Sequence, residues 1–249
     1  YLNGQMLGDT SSSNENDIPT TIDDLYYIGA GRVSSDFRDS RFYDGDMSEV
    51  IVYNEYINEA QRIIIENYLG AKYALPVSND LYDYEIDHGE DVAGIGMEDQ
   101  NNFHVAASSG RLLRIFNASD LNQSDYLLFG HDNQSIDEWV NEEVPAEGIY
   151  RIHREWRVDI EGNPGMLNIA IDTAALDNKL TGFNVYALLV DSDGDFSSGS
   201  ATYPFHLENG EYRISDLTLQ SGYYLSIAII RPEISFVQAS SNLSENTGS

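Results

Sequence analysis

Three aspartates at alternate positions, Asp191, Asp193 and Asp195, have the types and spacing that could bind a metal ion. They follow an apolar run and surround Gly194, which permits a tight turn. Carboxylates spaced in this way around a turn converge on one point, which suits a hard cation that takes about six to eight oxygen ligands. We therefore predict a Ca²⁺ site of the β-loop type, with Ser197, backbone carbonyls or water completing the shell. The alternative is a solvated acidic turn.

A second group of acids comes earlier in the chain and consists of Asp36, Asp39, Asp44 and Asp46. Arginines stand among them at positions 32, 38 and 41. Because guanidinium groups pair readily with carboxylates, we expect surface ion pairs here, with a rim calcium site as the alternative.

The segment from Glu85 to Glu90, with Asp87 between them, has the spacing E-x-D-x-x-E. This pattern resembles that of jelly-roll glycosidases that retain configuration, in which two carboxyl groups on one strand lie about 5–5.5 Å apart. Here His88 and Gly89 interrupt the pattern where an apolar strand residue belongs. A glycosidase is therefore the least favoured reading, and we expect no enzymatic activity.

The two tryptophans differ in their sequence surroundings. Trp156 lies on the apolar side of an alternating segment, which predicts a core position. Trp139 is flanked by acids in a predicted loop, and it is the better candidate for an exposed platform that stacks on a ligand. The five histidines are scattered without metal-ligand spacing, and His131 with Asp132 predicts a turn that fixes its own backbone.

The charge balance excludes some partners. The 249 residues include 42 acidic and 13 basic side chains, a formal net charge of −29. Such a surface repels nucleic acid and anionic membranes and attracts divalent cations. The excess of acidic residues can be explained by calcium binding or by adaptation to a salty medium, and the two explanations are compatible.

Cysteine is absent, so disulfides and thiolate chemistry cannot operate. Large exported bacterial proteins often avoid cysteine, which favours a bacterial exterior. No apolar stretch reaches the roughly 18 residues that span a bilayer. The chain opens on Tyr1 rather than Met, so we expect it to be an interior piece of a longer polypeptide.

The elements that would position these residues are mainly strands. Apolar runs between turn-forming clusters predict an all-β fold of antiparallel sandwich or jelly-roll modules in series. Strands are predicted at residues 25–28, 47–53, 149–160, 183–190 and 223–230. One hairpin is predicted across the turn at Glu161–Gly165, which joins the 149–160 strand to Leu167, Ile169 and Ile171, and another around Asn209-Gly210.

One short helix is predicted at about residues 58–70. Asn58 can cap its first turn, and Gln61 occupies the capping-box position three residues later. Ile63, Ile64 and Tyr68 then follow at helical spacing.

Three segments resemble known families. Residues 42–53, followed by the helix, resemble the closing strand and helix of LamG-like (concanavalin A-like) jelly rolls of bacterial surface proteins. Residues 81–231, with Asp91-Val-Ala-Gly-Ile-Gly96, resemble an uncharacterised β-sandwich domain of secreted Bacteroidetes-type proteins. Residues 234–248 resemble the first strand of a Calx-beta domain. These resemblances imply the second half of a jelly roll at 1–75, a linker at 76–80, a sandwich at 81–231, and a linker or first Calx-beta strand at 232–249.

Together these features predict a calcium-stiffened structural and cell adhesion segment of a large secreted adhesin on the bacterial cell surface. Its partners would be neighbouring domains of the same chain, and surface glycans or proteins of host or neighbouring cells. The alternative is a carbohydrate- or protein-binding module of the LamG-like lectin type.

Overall fold

The computed structural model describes residues 30–33, 36–176 and 180–232. Sixteen strands, two α-helices and one 3₁₀ turn occur in this part of the chain. The predicted all-β class is therefore confirmed. The predicted strand at 25–28 and the segment that resembles Calx-beta lie outside the described residues.

The strands are β1 Ala30–Val33, β2 Asp36–Phe42, β3 Glu90–Asp99, β4 Asn102–His104, β5 Ala106–Ser109, β6 Leu113–Phe116, β7 Asp125–His131, β8 Trp139–Val140, β9 Ile149–Ile152, β10 Trp156–Glu161, β11 Leu167–Ile171, β12 Val185–Asp191, β13 Ala201–Pro204, β14 His206–Glu208, β15 Glu211–Leu217 and β16 Tyr224–Ile230. The helices are α1 Glu59–Tyr73 and α2 Glu85–His88, and the 3₁₀ turn is Thr173–Ala175.

Two antiparallel sheets form a sandwich. The nine-stranded sheet has the order β13-β12-β16-β10-β7-β3-β4, with β9 paired to β16 and β8 paired to β9. The five-stranded sheet has the order β14-β15-β11-β6-β5. Strands β1 and β2 form a separate hairpin.

The main core lies between the two sheets, because side chains alternate along each strand. Trp156, Phe129 and Leu188 point inward from the nine-stranded sheet, and Ile115 and Ile169 point inward from the five-stranded one. All five are fully buried. The prediction that Trp156 is a core residue is confirmed.

Helix α1 begins as the sequence predicts. The Asn58 side chain accepts a hydrogen bond from the Gln61 backbone N–H, and the Gln61 side chain accepts one from the Asn58 backbone N–H. This capping box satisfies two N–H groups that the first turn leaves unpaired. The C-terminal cap is Ala74, in the left-handed conformation.

The helix packs against the outer face of the nine-stranded sheet. Ala60 and Ile63 of α1 share a core with Tyr82, Tyr126 and Leu128. Tyr126 can lie flat there because its ring covers Gly96 on the neighbouring strand, where a Cβ atom would come within 2.1 Å of the ring. Residues on both sides of the predicted linker at 76–80, from α1 and from the sandwich, therefore belong to one core.

Several strand predictions are confirmed. The runs predicted at 183–190 and 223–230 form β12 and β16, and both are buried on both faces. The Asn209-Gly210 hairpin joins β14 to β15, and both turn residues have positive φ.

Other strand predictions are wrong. Residues 47–53 form no strand, and Val52 is 72% exposed. The predicted strand at 149–160 is interrupted at 153–155, where Arg154 leaves the ladder and its N–H donates to the Ser135 carbonyl. The hairpin predicted across the turn at 161–165 is wrong as well, because β10 and β11 belong to different sheets. The turn between them is held by a hydrogen bond of 2.9 Å, which the Asn163 N–H donates to Asp125 Oδ1.

Candidate functional site

The acidic loop follows β12 and is bound to its own backbone. Asp191 is only 3% exposed, and its Oδ1 accepts hydrogen bonds from the N–H groups of Asp193 at 2.7 Å and Gly194 at 2.9 Å. Asp193 Oδ1 accepts from the Asp195 N–H at 3.0 Å. Each aspartate thus shapes the turn that follows it.

Asp195 continues this series toward Ser197. Its Oδ1 accepts from the Ser197 N–H at 3.0 Å and from the Ser197 hydroxyl at 2.5 Å, and these bonds lower the pKa of Asp195. The next residue after it, Phe196, is fully buried against the outer face of the nine-stranded sheet, beside Leu189 and Ala228. The loop is therefore anchored to the sheet.

Among the described residues, no group of three or more histidines, aspartates or glutamates is arranged to hold a metal ion. Calcium at Asp191, Asp193 and Asp195 stays a prediction.

The carboxylates of the glycosidase-like pattern lie on different elements. Glu85 and Asp87 belong to the single turn of α2, and Glu90 is the first residue of β3. The pattern in jelly-roll glycosidases requires one strand, so its geometry is not reproduced here. A cleft of about 160 Å³ lies beside these residues and is also lined by Lys72.

Trp139 begins the two-residue strand β8 and pairs with Ile152. Its ring is half-buried and packs against the main core. Trp139 was predicted to lie in a loop, but it lies in an edge strand. Only part of its ring is exposed to solvent.

The acids at 44 and 46 lie in the exposed segment that follows β2. The side chains of residues 32, 36, 38, 39 and 41 lie outside what the structure describes, so ion pairing in this group stays a prediction.

Two buried histidines lie near one end of β3. His131 Nδ1 accepts the Asn133 N–H at 3.0 Å, and Asp132 Oδ1 accepts the Gln134 N–H at 3.1 Å. The predicted self-fixing turn at His131-Asp132 is confirmed. His88 packs edge-on against Tyr224, and both of its ring nitrogens are buried without a hydrogen bond. Burial lowers the pKa of each histidine.

Sequence reasoning missed a cleft of about 490 Å³ at one end of the five-stranded sheet. The β5–β6 turn, the residues after β11 and the β14–β15 turn meet there. Its lining includes Ser108, Arg111, Arg114, Ala170, Asp172, Asn209 and Glu211. The three contributing turns are distant in sequence, so no local motif could have indicated this cleft.

A charged pair forms one wall of the cleft. Arg114 Nη2 donates to both carboxylate oxygens of Glu211, at 2.6 and 2.7 Å, and Arg213 also contacts Glu211. Both guanidinium groups lie over the Phe116 ring, at 4.3 and 5.2 Å from its centre. Stacking on an aromatic ring restricts the orientation of an arginine.

Fold and site together define the class of protein. It is a two-sheet β-sandwich with a helix packed on one outer face and an arginine-lined cleft at one end of the smaller sheet. The family model "Domain of unknown function (DUF8202)" matches residues 61–223, and the chain belongs to this family. The match begins inside α1, so the family region includes most of the helix and the residues predicted as a linker.

No curated protein and no solved structure matches this chain. Among the described residues, no helix has the length and apolar character needed to cross a bilayer.

Proposed function

We propose that this chain is a non-enzymatic structural and adhesion segment of a large secreted modular protein on the bacterial cell surface. In this proposal the helix and the sandwich form one stiff unit, which transmits orientation between the modules on either side. The observation that supports it is the joint between α1 and the sandwich, which is hydrogen-bonded at the first turn of the helix and at Asn67 in its middle.

Asn67 fixes the middle of the helix. It is buried, and its Nδ2 donates to the carbonyl oxygens of Ile63 at 2.9 Å and Asn79 at 2.7 Å. Its Oδ1 accepts the Leu81 N–H at 2.7 Å. One side chain thus ties the helix to the connection that leads into the sandwich.

Asn58 and Asn102 fix the N-terminal side. Asn58 Nδ2 donates to the Phe103 carbonyl at 2.9 Å, and the Glu59 N–H donates to Asn102 Oδ1 at 3.1 Å. These bonds join the first turn of α1 to β4. A helix held at these two points cannot pivot without breaking the polar contacts, which costs free energy.

Calcium at Asp191, Asp193 and Asp195 belongs to the same proposal. The net charge of −29 favours divalent cations, and Phe196 couples the loop to the sheet. A cation that binds only the folded loop would add to the stability of the whole sandwich.

Optical tweezers with handles at Tyr1 and Ser249 test the stiff-unit proposal on the full chain. We expect α1 and the sandwich to unfold in one step in the wild type. In Asn67→Ala, α1 should detach first and at lower force, because its hydrogen bonds to Asn79 and Leu81 are lost. Asn101→Ala, on an exposed turn, is the matched control and should behave as the wild type. Detachment of α1 before the sandwich in the wild type would overturn the proposal.

A further inference from the structure

We propose that the cleft at the end of the five-stranded sheet binds a carboxylated sugar, a saccharide that carries one uronic acid unit. This binding activity goes beyond the spacer role, and it rests on the charges, size and lining of the cleft alone.

Arg111 supplies the charge for this interaction. It lies in the β5–β6 turn with φ of 58°, is exposed, and lines the cleft. Within the described part of the chain its guanidinium has no hydrogen-bond or ion-pair partner. It offers a forked set of donors that matches a carboxylate.

Arg114 supplies a second set of donors. It contacts Glu211 through Nη2 alone, so Nε and Nη1 keep their N–H groups for a ligand. Its place over the Phe116 ring, and its pairing with Glu211, hold the guanidinium in position before a ligand arrives. Preorganised donors bind more tightly because less side-chain freedom is lost.

A small side chain lies beneath the cleft. Ala170 lies opposite Arg114 on β6 and opposite Arg213 on β15, and it is almost fully buried. The cleft volume of about 490 Å³ falls within the range of small-ligand sites.

The rest of the lining suits hydroxyl groups. Ser108, Asp172 and Asn209 provide hydroxyl, carboxylate and amide groups around the cleft. Carboxylate and amide oxygens accept hydrogen bonds from sugar hydroxyls, and amide N–H groups donate to them.

The overall charge limits how many anionic groups the ligand carries. A net charge of −29 repels polyanions at long range. The cleft itself holds two arginines and two carboxylates, Asp172 and Glu211, so a ligand carboxylate gains local attraction where it contacts Arg111, which has no carboxylate partner among the described residues. A singly charged sugar is therefore favoured over a heavily sulfated one.

Isothermal titration of the full chain with an aldobiouronic acid, glucuronic acid linked to xylose, tests the proposal. Its methyl ester keeps the shape and removes the charge. We expect the acid to bind about tenfold or more tightly than the ester, since charge-assisted hydrogen bonds are lost. Added salt should weaken binding of the acid.

Variants separate the cleft from the rest of the surface. Arg111→Gln should weaken binding about tenfold with unchanged thermal unfolding, because Arg111 has no partner in the fold. Arg231→Gln, an exposed arginine outside the cleft, is the control and should bind as the wild type does.

Three results would overturn the proposal: equal binding of acid and ester, unchanged binding in Arg111→Gln, or tighter binding of tri-aspartate than of the sugar. The last result would identify an acidic peptide as the partner. None of these results depends on how α1 unfolds under force, so the spacer proposal is tested separately.

Discussion

Trp156 Nε1 donates a hydrogen bond to Ser109 Oγ at 3.1 Å, and this bond joins the two sheets inside the core. Trp156 belongs to the nine-stranded sheet and Ser109 to the five-stranded one, and both are fully buried. Ser109→Ala should lower the free energy of unfolding by about 1–3 kcal/mol, because it leaves a buried indole N–H unpaired. Urea unfolding measures this change.

A double-mutant cycle with Trp156→Phe separates the hydrogen bond from packing. Phe lacks the N–H group, so Ser109→Ala should cost clearly less in the Trp156→Phe background. Equal costs in the two backgrounds would show that the bond contributes nothing.

Glu155 should make the protein less stable at neutral pH than at mildly acidic pH. Burial raises the pKa of Glu155 to about 7, although Arg151 Nη1 lies 2.9 Å from the carboxylate and favours its ionised form. The folded state therefore holds the proton more tightly than the unfolded chain. The contribution of this group to the free energy of unfolding should rise as pH falls from about 7 toward the usual carboxyl range.

Glu155→Gln isolates that contribution. We expect the variant to be more stable relative to the wild type near pH 8 than near pH 5. The difference between the two free energies of unfolding, variant minus wild type, should be about 2 kcal/mol higher at pH 8. Arg151 retains Glu143 as a partner in the variant. A difference between variant and wild type that does not change with pH would contradict the raised pKa.

His88 should act in the opposite direction. Its lowered pKa means that the unfolded chain binds the proton more tightly, so stability should fall as pH drops below about 6.5. Asp132 and Asp87 favour the protonated ring, while Arg157 and His131 oppose it. Acid unfolding followed by tryptophan fluorescence measures the transition.

His88→Phe keeps an aromatic ring against Tyr224 and removes the titrating group. We expect its acid transition to begin at lower pH than in the wild type. Because His131 remains, part of the acid sensitivity should persist. An unchanged transition would exclude His88 as a source of acid sensitivity.

Calcium should raise the melting temperature by several degrees relative to chelator, and Asp193→Asn should lose this rise. Asp193 is the informative position because its Oδ1 caps a single N–H group, which Asn can also cap. A loss of the calcium response would then not reflect a broken turn. If calcium changes the melting temperature of neither protein, residues 191–195 are a solvated turn and not a calcium site.

Local features were predictable from the sequence where one short segment determines the structure. Asn58 and Gln61 predict the start of α1 because a capping box involves only its own turn. Asn209-Gly210 predicts its hairpin for a similar reason, since two residues with positive φ fix the turn.

Pairing between distant strands was not predictable in this way. The glycines at 162 and 165 indicate a turn, but a turn can join neighbouring strands or carry the chain to the opposite sheet. The contact with Asp125 decides between these outcomes, and it lies almost forty residues earlier. The cleft was missed for the same reason, because Arg111, Asp172 and Asn209 meet only in the folded protein.

The position of β16 constrains when the protein can fold during its synthesis. Among the described residues this strand is the last, yet it lies inside the nine-stranded sheet, paired with β12 on one side and with β9 and β10 on the other. Until residues 224–230 have left the ribosome, β12 and β10 have no strand between them. A nascent chain that lacks this strand would expose the apolar edges of two half-sheets. Such a chain would therefore need chaperone protection until residues 224–230 have left the ribosome.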